Sequence, residues 1–401
     1  MTRARTLLIP LSFLALAFLL TVDRRVAAHG GGRGQFGKEL DTLSMEERRV
    51  FRDAKAEFEE EEEAQEGLGP IFNHVSCVAC HSIPVTGGSS PILETRAQKL
   101  LDGVLFEFPG GSLFQVSAIR PECAEVVPVD ANVRALRQTT PLFGAGLIEA
   151  IPDAQLEAYA ALQARVSPGQ AGRMHRIVDV ASGAVRIGRF GWKAQQATLL
   201  AFSGDAYVNE MGITNRLFPF ENAPNGNLVQ LAQCDPVADP EDANEDFVAF
   251  ADYMRFLAPP PRSDQWERND NAGGHGGPAQ LQRGRAALES VGCAVCHRSG
   301  FTTSSRTAAL DRQRVDAFSD FLLHDVGTGD GIVQGDAQGN EFRTSPLWGI
   351  AESGPYLHDG SAPTIEAAIE RHGNQAAVAR EAFGHLSAAD KEALLAFPDS
   401  I

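Results

Sequence analysis

One five-residue string occurs twice, as Cys77-Val78-Ala79-Cys80-His81 and as Cys293-Ala294-Val295-Cys296-His297, and it constrains this chain more than any other feature. Two thiols at that spacing can add to the two vinyl groups of one porphyrin. The imidazole that follows then lies where it can ligate the iron from the proximal side. The string therefore reads as the attachment signature of a c-type haem. One copy alone could be a redox dithiol or half of a zinc site. A dithiol would sit at a helix start in a βαβ context, which this sequence lacks. A four-thiolate zinc site would not need a His after each second Cys. Two covalently attached haem c groups are expected, held by Cys77, Cys80 and His81 and by Cys293, Cys296 and His297.

Haem thioethers are characteristic of exported proteins, and the N-terminus agrees. Arg3 and Arg5 precede an apolar run from Leu7 to Val22, and Val26-Ala27-Ala28 places small residues where a signal peptidase cuts. Residues 1–28 read as a signal peptide. The run is shorter than the ~20 residues of a membrane span, so an uncleaved anchor is the less favoured alternative. Periplasmic localisation is the expectation. Of 401 residues, 35 are Lys or Arg and 52 are Asp or Glu, giving a formal charge of -17. No basic footprint for nucleic acid exists, so no nucleic-acid partner is expected. Cys123 and Cys234 are left over. In an oxidising compartment a disulfide between them is the favoured reading, with two buried free thiols as the alternative.

The chain is long enough for two domains. Residues 29–35 are Gly-rich, 44–66 read as a helix ending in an acidic run, and 245–257 read as a second helix before Pro259-Pro260-Pro261. Period-two alternation over 174–190 predicts a β-hairpin. Ser387 caps a last helix to Phe397. These signals predict a mainly α fold of two cytochrome-c-like helical domains, the first enlarged by insertions that include the hairpin. The boundaries are 36–260 for the N-terminal haem domain, 261–278 for a linker and 279–401 for the C-terminal haem domain. The acidic loop from Asp235 to Asp246 could attract cations, although a solvated loop is the simpler reading.

Methionine positions limit the sixth ligands. The only Met residues are 1, 45, 174, 211 and 254, and none follows the second motif. If each domain supplies its own ligands, the second iron takes His324, His358, His372, His385 or nothing. Bis-His ligation lowers the reduction potential relative to His/Met. The first iron has His74, His175, Met174, Met211 and Met254 to choose from. His74 shares the proximal segment, and Met254 fits a helical apolar pattern with Phe250 and Phe256. Met211 lies in the loop-like stretch Asn209 to Thr214, a better setting for a ligand, with ordinary packing as the alternative.

The second half carries Phe342-Arg343-Thr344-Ser345-Pro346-Leu347-Trp348-Gly349-Ile350, then Pro355 to Ser361 and Thr364 to Ile369. These segments resemble the C-terminal domain of bacterial di-haem cytochrome c peroxidases and their methylamine-dehydrogenase-maturation relatives. In that superfamily the helix after His358-Asp359-Gly360 carries the sixth ligand of the C-terminal haem. His372 stands at that position here. In the first half, Phe143 to Asp153, Arg189 to Gln195, Asn209 to Thr214 and Leu323 to Gly329 resemble the di-haem oxidoreductase family, whose members carry peroxidase or thiol-oxidoreductase-like labels. The resemblance spans about 36–400.

It implies an exported oxidoreductase that accepts electrons at one haem and reduces hydrogen peroxide at the other. A small cytochrome c or a cupredoxin is the implied donor, and a homodimer is compatible with it. Glu149 and Glu210 are the carboxylates in family-like motifs that could take the peroxide proton, unless they only order loops or cap helices. Trp192 is the candidate electron relay, with core packing as the alternative. Thr344 and Pro346 match a stretch that helps bind calcium between domains in the peroxidases, so Ca2+ is a further expectation. Two other functions stay open: a di-haem cytochrome that only transfers electrons, and oxidation of another substrate through a high-valent haem.

Overall fold

The structure, a computed structural model, describes residues 36–261 and 277–401. The expected signal peptide and nearly all of the expected linker lie outside the described residues. No helix among those described is long and apolar enough to cross a membrane.

Helices and short 3-10 turns dominate, with brief strands between them. In chain order the helices are α1 (Met45–Phe58), α2 (Cys77–Cys80), α3 (Ala145–Glu149), α4 (Asp153–Val166), α5 (Leu199–Ala206), α6 (Leu228–Cys234) and α7 (Asp246–Phe256). The C-terminal part adds α8 (Pro278–Ser290), α9 (Ile365–Glu370), α10 (Ala377–Gly384) and α11 (Ala388–Ala396). A capping box starts α1: Ser44 accepts from the Glu47 N–H and the Glu47 carboxylate from the Ser44 N–H. The inward face of α1 buries Phe51, Ala54 and Phe58 against α7, where Phe58 lies 4.7 Å from the Tyr253 ring and 6.1 Å from Phe250. Each such buried aromatic contributes roughly 1.5–3 kcal/mol. α3 presses on the end of α7 at Gly146, where a Cβ would stand 1.9 Å from the Arg255 carbonyl oxygen. Only glycine fits there.

The C-terminal part has its own small core of Ala287, Leu288, Val291, Phe318, Phe383, Leu394 and Phe397, formed where α8 crosses α11. Elsewhere it interlocks with the N-terminal part. Arg173 and Leu323 exchange backbone hydrogen bonds of 2.9 and 2.8 Å. Asp330 is fully buried, 2.8 Å from Arg137 and 3.3 Å from Lys193, which are 1% and 0% exposed at their side chains. One carboxylate against two buried cations holds the segments 133–138, 193 and 324–343 together.

Five small sheets accompany the helices among the described residues, and two of them bear on the sequence analysis. Arg176–Val178 pairs antiparallel with Val185–Ile187. A four-stranded sheet, which the sequence reading does not contain, forms around Leu93–Leu101. That strand pairs antiparallel with Val133–Gln138, Leu113–Phe114 and Val104–Phe106. Its sequence, Leu-Glu-Thr-Arg-Ala-Gln-Lys-Leu-Leu, holds mostly good helix formers and no clean alternation. Pairing with three distant segments overrides its local preference. Cys123 and Cys234 form a disulfide, with Cα atoms 5.8 Å apart, tying the connection between strands 113–114 and 133–138 of this sheet to α6.

Candidate functional site

Each Cys-x-x-Cys-His string opens onto its own cavity. The first, of about 500 Å³, is lined by Cys77, Cys80 and His81. The second, of about 310 Å³, is lined by Cys293, Cys296 and His297. Both volumes lie within the range of cofactor cavities, about 300–1,000 Å³. None of the four cysteines is in a disulfide.

The two proximal imidazoles are oriented alike. His81 Nδ1 lies 3.0 Å from the Gly88 carbonyl oxygen, and His297 Nδ1 lies 3.1 Å from that of Phe318. A ring that donates from Nδ1 to a carbonyl keeps its Nε2 lone pair for a metal. Burial pushes both down to about 4, so both are neutral imidazoles at neutral pH; for His297 the neighbouring His372 adds to the effect. His372 shares that orientation, with Nδ1 2.7 Å from the Ala368 carbonyl at the end of α9. It lines the second cavity with His297. The residues present fit a haem in each cavity, and in the second both His297 and His372 could serve an iron.

The other histidines of the second half are engaged elsewhere. His324 is bound through both ring nitrogens, to Asp320 at 2.9 Å and to the Cys296 sulfur at 3.6 Å. His358 stacks on Phe342, ring centroids 4.3 Å apart, and lies edge-on to Trp192. His385 is exposed and outside the cavity lining.

In the first cavity, α5 runs into a π-turn, Tyr207–Met211, that ends at Gly212 with φ 76°. π-turns inside helices recur at functional positions. This one docks on the segment before the first motif: Gly69 N donates to the Met211 carbonyl at 2.9 Å and Asn73 N to that of Glu210 at 2.7 Å. The turn thereby carries both Glu210 and Met211 to the cavity wall. Met211 is buried, and Met254, expected as plain core, is buried and lines the same wall. His74 lines it too, whereas Met174 and His175 do not. His175 is tied to the Lys193 carbonyl and the Asp336 N–H.

Glu210 accepts from Asn73 Nδ2 at 2.6 Å. Burial first, and the Glu94 carboxylate next, push its pKa up to about 7. Glu94 itself is held low, chiefly by Arg96 against the cost of burial, and is hydrogen-bonded to Glu210. Glu210 is therefore the partner that carries the proton. Asp205 stands in the same lining with its pKa raised by burial. Glu94, Arg96 and Asp205 escaped the sequence reading. The alternation of Glu94 and Arg96 puts both on one face of a strand, a signal legible only once the strand is recognised.

Three expectations change. Glu149 lies outside both cavity linings. Its carboxylate accepts from Leu199 N at 2.7 Å at the start of α5 and pairs with Arg255 at 3.2 Å, so it caps a helix and cannot serve peroxide. The calcium implied at Thr344 and Pro346 meets an occupied ligand: the Thr344 carbonyl accepts from Ser319 Oγ at 2.6 Å and from the Arg343 guanidinium at 3.1 Å. A buried arginine supplies the positive charge there, and those donors do not fit calcium. In the acidic loop, Asp239 and Glu241 converge with Glu221 within 4.8 Å. Burial pushes the Glu221 pKa up to about 10, which makes it a neutral acid.

Trp192 lines both cavities, together with Gln138, Thr139 and Gly191. Its indole N–H donates to the Gln138 carbonyl at 2.8 Å, and its ring lies edge-on to Phe342.

Two cofactor cavities with attachment strings, separated by one tryptophan wall, define a protein built around a pair of haems. The chain belongs to the family described as "Di-haem oxidoreductase, putative peroxidase", whose model matches residues 124–401. Among curated proteins, none matches. Solved structures similar to it include hydrazine synthase of Kuenenia stuttgartiensis, at 16% identity and TM-score 0.42, covering 88% of this chain and 87% of that one. A MauG-like protein associated with microbial copper homeostasis is 17% identical, with TM-score 0.39 and coverage of 89% and 88%. The diheme peroxidase of Burkholderia thailandensis is 16% identical, with TM-score 0.31 and coverage of 77% and 94%.

Proposed function

We propose that this chain is an exported di-haem c-type oxidoreductase that reduces hydrogen peroxide in its first cavity with electrons received at the second. The observation that carries this reading is the contrast in the linings: the first cavity holds Glu210, whose pKa is pushed up to about 7, and the second holds the imidazoles of both His297 and His372. A haem in each cavity would supply the one-electron chemistry, attached through Cys77 and Cys80 or Cys293 and Cys296.

The side chains would act as follows. His81 Nε2 and His297 Nε2 face their cofactors, fixed by the Gly88 and Phe318 carbonyls. His372, in the lining of the second cavity, would serve as the second imidazole there and leave no open position for substrate. Reduction of one peroxide consumes two electrons and two protons and yields two waters. Glu210 holds one proton against Glu94 and releases it to the departing oxygen, then takes up another from solvent. Arg96, paired with Glu94 at 2.9 Å, keeps that second carboxylate ionised and able to accept the Glu210 hydrogen bond. Trp192, in the shared wall, is the route for electrons. The net charge of -17 favours a basic or neutral donor protein, of the small cytochrome c or cupredoxin kind.

A second reading, an electron-transfer cytochrome without turnover, draws on Met211 and Met254 at the first cavity wall. A thioether on that iron would exclude peroxide. Spectra of the purified protein, oxidised and half-reduced, separate the two when combined with peroxide turnover using a reduced small cytochrome c. Peroxide reduction with a high-spin haem on half-reduction is expected. Two low-spin haems in every state, without turnover, would overturn the proposal.

A further inference from the structure

Behind the second cavity lies a buried pair that the proposed reaction does not use. His324 is 3% exposed and Asp320 is fully buried. His324 Nε2 meets Asp320 Oδ2 at 2.9 Å, while Nδ1 meets Cys296 Sγ at 3.6 Å. Asp320 is fixed in turn: Oδ2 accepts from Gln163 Nε2 at 2.7 Å and Oδ1 from the Leu322 N–H at 3.0 Å. A place is kept for the imidazole, since a Cβ on Gly172 would stand 2.4 Å from His324 Nε2.

Once Cys296 is a thioether its sulfur has no proton and can only accept a hydrogen bond. Nδ1 must then carry a hydrogen, or two lone pairs face each other in a buried site. Nε2 meets the Asp320 carboxylate at 2.9 Å, a contact that favours a hydrogen on this nitrogen as well. Both ring nitrogens are therefore protonated and the ring is a cation. Burial alone would lower its pKa, but the Asp320 carboxylate 2.9 Å away pushes it up. The other charged or titratable groups around the pair include His297, Tyr159 and the buried Arg343. No carboxylate lines the second cavity among the described residues. A positive charge at the edge of a porphyrin favours the ferrous state over the ferric.

We propose that His324 is a positioning residue for the second haem: it donates to the Cys296 thioether sulfur and, held as a cation by Asp320, raises that haem's reduction potential above the level its two imidazole ligands would set. The first haem has no counterpart, because the Cys80 sulfur is bonded to Thr139 and faces Glu210 and Glu94.

The inference rests on the haem reading of the second motif but not on peroxide turnover. Its test is a spectroelectrochemical titration of the holoprotein, with the first haem as internal reference. In His324→Leu the second haem's reduction equilibrium should fall about tenfold, about 59 mV for one electron, with haem content and the low-spin spectrum retained. Gly172→Ala, which drives a methyl into the ring, should shift the same potential in the same direction. An unchanged potential in a variant that keeps both haems overturns the proposal. Should both variants lose haem, the unaltered protein decides. Long-range proton–nitrogen correlation spectra of the reduced, 15N-histidine-labelled protein should show a hydrogen on each ring nitrogen of His324. A neutral His324 there also overturns it.

Discussion

The two cavities start from the same five-residue string and end as opposites. Glu94, Asp205 and Glu210 line the first, beside Arg96 and Arg137. The second has Arg343, His297, His324, His358 and His372 among many apolar side chains, and no carboxylate among the described residues. Carboxylates that hold and release protons suit a site where bonds to oxygen break. Several imidazoles in one lining with Phe342, Leu347 and Pro346, and no acid beside them, suit a site that only changes charge. The motif fixes where a cofactor is attached. Segments far away in sequence, the π-turn at 207–211 for one and α9 for the other, fix what it can do.

The strongest way to break this contrast is Glu210→Gln, which keeps the Asn73 contact but has no acidic proton to give. Peroxide kcat/KM should fall about 10²–10⁴-fold, while the spectrum and potential of the second haem stay unchanged. An unaltered rate would remove the first cavity's claim to the chemistry. Next comes the buried ion group that holds segments 133–138, 193 and 324–343 together. Asp330→Asn leaves Arg137 and Lys193 buried without a charged partner, and loss of one member of a buried ion group costs about 3–5 kcal/mol. Chemical denaturation should show that loss, with both haem environments disturbed together.

Met211→Leu sharpens the comparison instead. The two side chains have similar volumes, so stability should change by less than about 1.5 kcal/mol, and with an open first iron the oxidised spectrum stays as it was. A switch from low to high spin would assign the sulfur to the metal. The smallest effect is one of pH. Burial raises the Asp205 pKa above its unfolded value, so the folded state binds more protons, and stability falls as pH rises from that unfolded value through the folded one. Asp205→Asn should flatten that fall, by at most about 1.4 kcal/mol per pH unit. Equal melting-temperature slopes in the two proteins would show that Asp205 titrates normally.

The two Cys-x-x-Cys-His strings stand out in the sequence because the covalent chemistry expected of them demands a fixed local spacing. His372 was singled out through a motif, and the structure places it in the same cavity lining as His297. Glu149 and Glu210 looked alike in sequence, each a carboxylate in a motif. Which one reaches a cavity depends on the π-turn, whose extra residue per turn leaves no periodic signature. The Leu93–Leu101 strand was invisible because three partners at long range hold it. Its Glu94 and Arg96 were hidden with it. Arg343 answers the calcium expectation in the same way: a side chain reaching back to the neighbouring carbonyl cannot be told from sequence.

One contact made by α4 bears on how such proteins can diverge. Tyr159 Oη donates to the Val295 carbonyl at 2.8 Å, and Gln163 Nε2 donates to the same carbonyl at 2.6 Å. Both side chains grip the backbone inside the second attachment string from outside its own half. Recombination that exchanged residues 277–401 for another cytochrome would carry over the ligands but lose this clasp. The C-terminal half is thus not a portable cassette, and its lineage is bound to that of a helix encoded far upstream.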